Sequence, residues 1–213
     1  MRNWFVFVLL SFLLLSCKEK VAETSVCEYK TDDPQLQVYN DLLIELVEGK
    51  FYSLSFGEGS TDTTSFKTIY LSHKSYHKEL FEEFKIGLWK APAPGVNDEI
   101  RPLLAKYDLD NAAIFADLSE AQQKYWVSDF QACTFKVDSL GKAENLYELK
   151  AEQKVNAIGQ VSFSEMRWNK QLDKGVLYYE FYCGGKCGKG ELIGFEKVNG
   201  RWKIVDNVQL WVS

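Results

Sequence analysis

Histidine is almost missing from this chain: two in 213 residues, His73 and His77. They stand four apart, so on a helix they would share a face and could hold a metal. Neither H-E-x-x-H nor H-x-x-E-H is present, however, which makes them weak metal candidates beside an ordinary surface or capping role. No G-x-S-x-G elbow occurs, so esterase-type catalysis lacks its usual signal, and no catalytic residue is nominated. A phosphate cradle is missing too. In the nearest approach, Cys183 to Gly190, Cys183 stands where the first glycine belongs and Gly190 where Ser or Thr is needed. Basic residues are in deficit, 25 Lys and Arg against 30 Asp and Glu for a formal net charge of −5. That balance opposes nucleic acid, which requires a basic field. Internal repeats and low-complexity tracts are also lacking.

What is present begins with a membrane address. Met1-Arg2-Asn3 is followed by an uncharged run from Trp4 to Leu15, too short to span a bilayer as a helix, and then by Ser16-Cys17. The pattern resembles the lipobox of bacterial lipoproteins, which implies cleavage after residue 16 and acylation, palmitate included, of Cys17. Multiple acyl chains make a firm anchor. Lys18 rather than Asp follows the cysteine, and by resemblance to lipoprotein sorting this favours the outer membrane of the cell envelope. Residues 17–31 then read as a lipidated tether and residues 32–213 as one α+β domain. Without residues 1–16 the net charge becomes −6, since only Arg2 is removed.

Four cysteines remain after lipidation, Cys27, Cys133, Cys183 and Cys187. An even number outside the cytoplasm suggests disulfides, with three connectivities open and free thiols as the competing state. Proximity favours Cys183 with Cys187 across a glycine-rich turn and leaves Cys27 for Cys133. A metal or redox role for the C-x-x-x-C pair is the lesser reading, because redox dithiols are usually C-x-x-C.

The C-terminal quarter carries the plainest local structure. Val176 to Cys183, Glu191 to Val198 and Arg201 to Val205 are aromatic and β-branched runs that fit a half-buried pleated surface. Asn199-Gly200 between the last two favours a type I′ hairpin turn. Gly159 to Trp168 reads as a preceding strand and Val208 to Val212 as an extension, giving an antiparallel meander of four or five strands. In the first run Leu177, Tyr179, Phe181 and Cys183 share one face and Val176, Tyr178, Glu180 and Tyr182 the other, so both faces are expected to be partly covered.

Trp168-Asn169-Lys170, Tyr182-Cys183-Gly184 and the closing Asn199-Gly200-Arg201-Trp202-Lys203-Ile204 together resemble the C-terminal signature of a group of uncharacterised bacterial secreted proteins and lipoproteins. The resemblance covers about a quarter of the chain and implies no activity.

Upstream, Asp33 can cap a helix with Pro34 in its first turn, and Leu36, Tyr39, Leu42, Leu43, Leu46 and Val47 form an apolar stripe before Gly49. Phe51 to Phe56 and Thr68 to Ser72 read as strands, and Lys78 to Lys85 and Asp98 to Tyr107 as helices. Ala112 to Phe115 and Tyr125 to Val137 contain strand-like pieces. Lys142 to Val155 is an amphipathic helix candidate with Leu146, Leu149 and Val155 inward. The expected fold is therefore α+β, N-terminal amphipathic helices packed on the C-terminal meander.

Aromatics make up 15% of the chain. Tyr178, Tyr182, Trp202 and Trp211 are the candidates for a ligand-facing set that binds an envelope protein or a saccharide, against their ordinary role in a core. The sequence thus favours a non-catalytic binding or envelope-interaction module without a cofactor. The alternative is an envelope hydrolase or metal-dependent enzyme using His73 and His77.

Overall fold

The computed structural model describes residues 31–57, 67–72, 96–109, 125–143 and 145–213. Helix α1, Pro34–Leu46, starts where expected: Asp33 Oδ1 accepts from Gln35 N at 2.8 Å and from Leu36 N at 3.4 Å. It does not stop at Gly49. The chain widens into a π turn, Val47–Phe51, and continues as α2, Tyr52–Phe56, before Gly57 ends it at a φ of 91°. The strand expected over Phe51 to Phe56 is thus helical. Packing overrides its β propensity, because the wide turn presents Lys50 and Phe51 together to the sheet, and Phe51 stacks on Phe181 with ring centroids 3.9 Å apart.

The sheet is larger than the meander expected and is mixed. Among the described residues it has seven strands: β1 Thr68–Leu71, β2 Lys136–Ser139, β3 Ala157–Phe163, β4 Arg167–Trp168, β5 Lys174–Gly184, β6 Cys187–Val198 and β7 Arg201–Val212. Their order is β2-β1-β3-β5-β6-β7, with β4 also paired to β5. β1 runs parallel to both β2 and β3, and the remaining pairs are antiparallel. Gly159 to Trp168 is two strands rather than one. Val208 to Val212 continues β7, whose extra residues Val205 and Leu210 are absorbed as bulges opposite Gly194/Phe195 and Gly190/Glu191.

Both faces are covered. Leu177, Tyr179 and Phe181 join α1, Ile69, Leu71, Val161, Ile193 and Phe195 in the main core. Val176 and Tyr178 point the other way, with Leu192, Val208, Leu210 and Trp211, against α3, Val96–Lys106. Pro102 lies inside α3. A third cluster, Tyr70, Leu140, Leu146 and Leu149, closes the parallel end.

The helical expectation holds only at the level of α+β. In α1 all six residues from Val38 to Leu43 are buried, Asn40 and Asp41 included, so the helix does not present one apolar stripe to the sheet and a polar face to water. The reason lies in what its polar side covers. Asn40 Oδ1 accepts from Gln131 N at 2.8 Å, and Asp41 Oδ2 and Glu45 Oε2 accept from Trp202 N at 3.0 Å and Ile204 N at 3.2 Å along strand β7. Lys142 to Val155 is likewise no continuous helix: a 3₁₀ turn, Leu146–Glu148, precedes a single helical turn, α4, Ala151–Val155. Leu146 and Leu149 are inward as expected, whereas Val155 is 72% exposed. Of Tyr125 to Val137 only its last two residues enter a strand, β2. Lys78 to Lys85 and Ala112 to Phe115 lie outside the described residues.

Candidate functional site

Beyond the carboxyl ends of the parallel strands β1 and β2 lies an open cleft of about 600 Å³, within the range of small-ligand sites. Among the described residues its lining is aliphatic at Leu71, Val127 and Leu140 and polar at Ser72, Ser128, Ser139 and Lys142, with the Gly141–Ala143 turn and Trp126 completing it. Trp126 is 64% exposed, unusual for so large an apolar ring.

Local sequence fixes the backbone that carries this indole from both sides. Tyr125 and Phe130 bracket it in the chain and are both buried, with ring centroids 5.8 Å apart and Tyr125 also against Tyr39 at 4.9 Å. Between them the 3₁₀ turn Val127–Asp129 is held twice: Asp129 Oδ2 accepts from Trp126 N at 2.5 Å, and Asp129 N donates to Trp126 O at 2.9 Å. The Tyr125 hydroxyl accepts from Phe163 N at 3.0 Å and reaches Ser72 O at 3.5 Å, tying the turn to the ends of β3 and β1. Burial pushes the Tyr125 phenol up, so it stays protonated. Across the cleft, Gly141 takes a φ of 63°, the left-handed value that turns the chain after β2, and Ala143 N donates to Leu140 O at 3.1 Å. Leu140 anchors that turn in the third cluster. The platform and the opposite wall are both built into the core.

The aromatics singled out from the sequence sit elsewhere. Tyr178 and Trp211 are buried and Tyr182 half-buried on the α3 face, where Trp211 Nε1 donates to the Tyr178 hydroxyl at 2.7 Å and Tyr178 in turn donates to Glu180 Oε1 at 3.0 Å. Tyr182 packs on Trp211 at 5.2 Å between centroids. Trp202 is buried on the opposite face with Trp168 and Phe195. The four therefore do not converge on one patch. Of the four, Trp202 lines a second, smaller cleft of about 340 Å³ beside Asp41, Glu45 and Arg201. Trp126 is not among the sequence candidates, and its only signal is an indole between two core aromatics in a run without alternation.

A second buried carboxylate, Glu191, lies on the α1 face. It accepts from Lys50 Nζ at 2.9 Å, Lys189 Nζ at 2.5 Å and the Tyr179 hydroxyl at 2.5 Å. Burial alone would raise its pKa, but Lys189, Tyr179 and Lys50 outweigh that and hold it below the usual glutamate range. These contacts lock the π turn onto β6 and leave the carboxylate fully engaged.

Cys183 and Cys187 are joined by a disulfide with Cα atoms 5.3 Å apart, the separation expected of a stapled turn. The turn between β5 and β6 is only two residues, Gly185-Lys186, because Gly184 still belongs to β5 and Cys187 to Gly190 already belong to β6. Cys133 is disulfide-bonded as well. Cys27, the partner expected for it, lies outside the described residues, as do Cys17, His73 and His77. Among the described residues no cluster of three or more His, Cys, Asp or Glu is placed to hold a metal, and no helix is long and apolar enough to cross a membrane.

No family model matches this chain, and neither a curated protein nor a solved structure is significantly similar to it.

Proposed function

We propose that this chain is a lipid-anchored, non-catalytic binding module of the bacterial envelope, held at the outer membrane through Cys17 and binding its ligand in the cleft beside Trp126. The anchor rests on the leader and cysteine pattern of residues 1–17. The binding role rests on one observation: among the described residues the cleft is lined by Trp126, Ser72, Ser128, Ser139, Lys142 and aliphatic side chains, types of group that recognise a ligand by stacking and hydrogen bonding. Its rigid footing in the core favours recognition, because little ordering entropy is lost when a ligand docks.

Two measurements test this. Cys17→Ala should abolish incorporation of labelled palmitate and move the protein from the detergent to the aqueous phase of a Triton X-114 partition; unchanged partition would refute the anchor. Lipidated protein should co-sediment with purified envelope sacculi, and Trp126→Ala should lower the bound fraction about tenfold, as expected for an aromatic hot spot. Retention that ignores Trp126 would refute the cleft as the site. The enzymatic alternative through His73 and His77 predicts near-stoichiometric zinc or copper by plasma mass spectrometry, lost on His73→Ala.

A further inference from the structure

We infer that the Cys183–Cys187 disulfide is an exchangeable bond, which accepts two electrons from a pair of cysteine thiols on another polypeptide. It is separate from the cleft beside Trp126. β1 and β3 are parallel and β3 and β5 antiparallel, so the carboxyl end of β5 and its hairpin tip lie at the other end of the sheet. The fold does not need this bond. Gly184 pairs with Cys187 and Tyr182 with Gly188, so the ladder holds the strands together whether or not the sulfurs are joined. The cysteines are only four positions apart, a ring too small to remove much chain entropy. Both oxidation states are accommodated. Cys183 Sγ lies 3.5 Å from Cys187 O and Cys187 Sγ 3.8 Å from Leu54 O. In the dithiol each sulfur carries a hydrogen, and a carbonyl oxygen already stands beside it to accept. Favouring the reduced form makes a disulfide more oxidising.

The tip is also open to a partner. Gly185 and Lys186 are exposed and both cysteines half-buried, and exposed disulfides are the labile ones. Leu54 and Tyr147, 47% and 64% exposed, flank it: Leu54 O meets Cys187 Sγ, and the Tyr147 hydroxyl accepts from Gly185 N. Such side chains give a polypeptide apolar contact that a small thiol cannot use. Cys183 packs against the main core, so Cys187 is the sulfur attacked. A partner thiolate bonds to Cys187 Sγ as the Sγ–Sγ bond breaks, and Cys183 leaves as a thiolate that takes a proton. The partner's second thiolate then attacks the partner sulfur of the mixed disulfide, and Cys187 leaves and is protonated in turn. The partner ends as a disulfide, two electrons and two protons poorer, and the hairpin as a dithiol.

The test is equilibration of the full lipidated chain in detergent micelles with glutathione buffers of graded composition, followed by acid quench, alkylation and peptide mapping. In mainly reduced glutathione the Cys183–Cys187 pair should be more than half reduced with the melting transition kept, and oxidised glutathione should restore the bond. Structural disulfides resist such a buffer. A pair that stays oxidised, or opens only as the melting transition is lost, would overturn the exchange. Under partial reduction the glutathione adduct should map to Cys187; an adduct on Cys183 would overturn the choice of attacked sulfur. The partner class is read from rates. Oxidation of a synthetic peptide dithiol, with leucine and tyrosine beside its cysteines, should slow about fivefold in Leu54→Asn while oxidation of dithiothreitol keeps its wild-type rate. No change with the peptide, or equal slowing of both, would overturn the polypeptide partner and leave a site for small thiols. Tyr147→Ser serves as a second variant should Leu54→Asn lose its melting transition.

Discussion

At the scale of single residues, two buried carboxylates on the α1 side of the sheet pull stability in opposite directions with pH. Glu191 has its pKa lowered, so its contribution is present above the ordinary glutamate value of about 4.3 and is lost as pH falls through the lowered value. Asp41 has its pKa raised, chiefly by burial and in spite of the Trp202 N–H and the nearby Arg201, Lys203 and Lys197. Its contribution is therefore greatest below about 3.9 and fades as pH rises through the raised value. Glu191→Gln should cost on the order of 3 kcal/mol at pH 7, because Lys50 and Lys189 lose their common partner, and the gap from wild type in urea midpoints should narrow at pH 3. Asp41→Asn should cost less than about 1 kcal/mol at pH 7, since the amide oxygen still accepts from Trp202 N and no buried charge remains, whereas Asp41→Ala should cost about 2 kcal/mol. A pH-independent deficit in Glu191→Gln would refute the linkage. Neither role was legible beforehand. The alternation of β6 puts Glu191 on the Ile193 and Phe195 face, but nothing in the sequence announces that Lys50, 141 positions away, comes to meet it.

At the scale of elements, α1 guards an edge. Among the described residues β7, a twelve-residue strand, ends the sheet, and unpaired edge groups invite association with other chains. Asp41 and Glu45 occupy two of its outward N–H groups from a helix rather than a strand. The double variant Asp41→Ala/Glu45→Ala should accordingly show an apparent mass that climbs with concentration in light scattering, while Asp41→Asn/Glu45→Gln should follow wild type. Mass independent of concentration in both would refute the guarding role. The elements also show where sequence reading succeeds. Hairpins β5–β6 and β6–β7 are local, their turns written in Gly184-Gly185 and Asn199-Gly200 at positive φ, and their facing residues obey simple alternation. The parallel strands have no such signature. β1 is buried throughout and reads only as a short apolar run, while β2, outermost of the described strands, reads as the polar segment Lys-Val-Asp-Ser. Their pairing is made by crossovers rather than turns, and the cleft they support was invisible for the same reason.

At the scale of the whole molecule, the hairpin disulfide adds little to what the sheet already supplies. Gly184 pairs with Cys187 and Tyr182 with Gly188, so the loop closed by the bond is short and its ends are already held by the ladder. Loop-entropy arguments give about 2 kcal/mol at most for so small a ring. Cys183→Ser/Cys187→Ser should therefore fold and melt cooperatively with no more than that loss; failure to fold would show that the staple is needed to form the hairpin. Register is set instead along β6, where Gly188, Gly190 and Gly194 alternate on the α3 face with Leu192. A Cβ at these glycines would run into Tyr182, into Trp211 and Tyr178, and into Tyr107 respectively. Hydrophobic alternation rejects a strand that slips by one residue, because every side chain changes face, but it is blind to a slip of two. The gaps left by glycine are not blind to it: a two-step slip toward Leu192 sets the Trp211 ring against a branched side chain where an empty place is required. The sheet thus carries its own proofreading, with the spaces between side chains distinguishing the pairings that their polarity cannot.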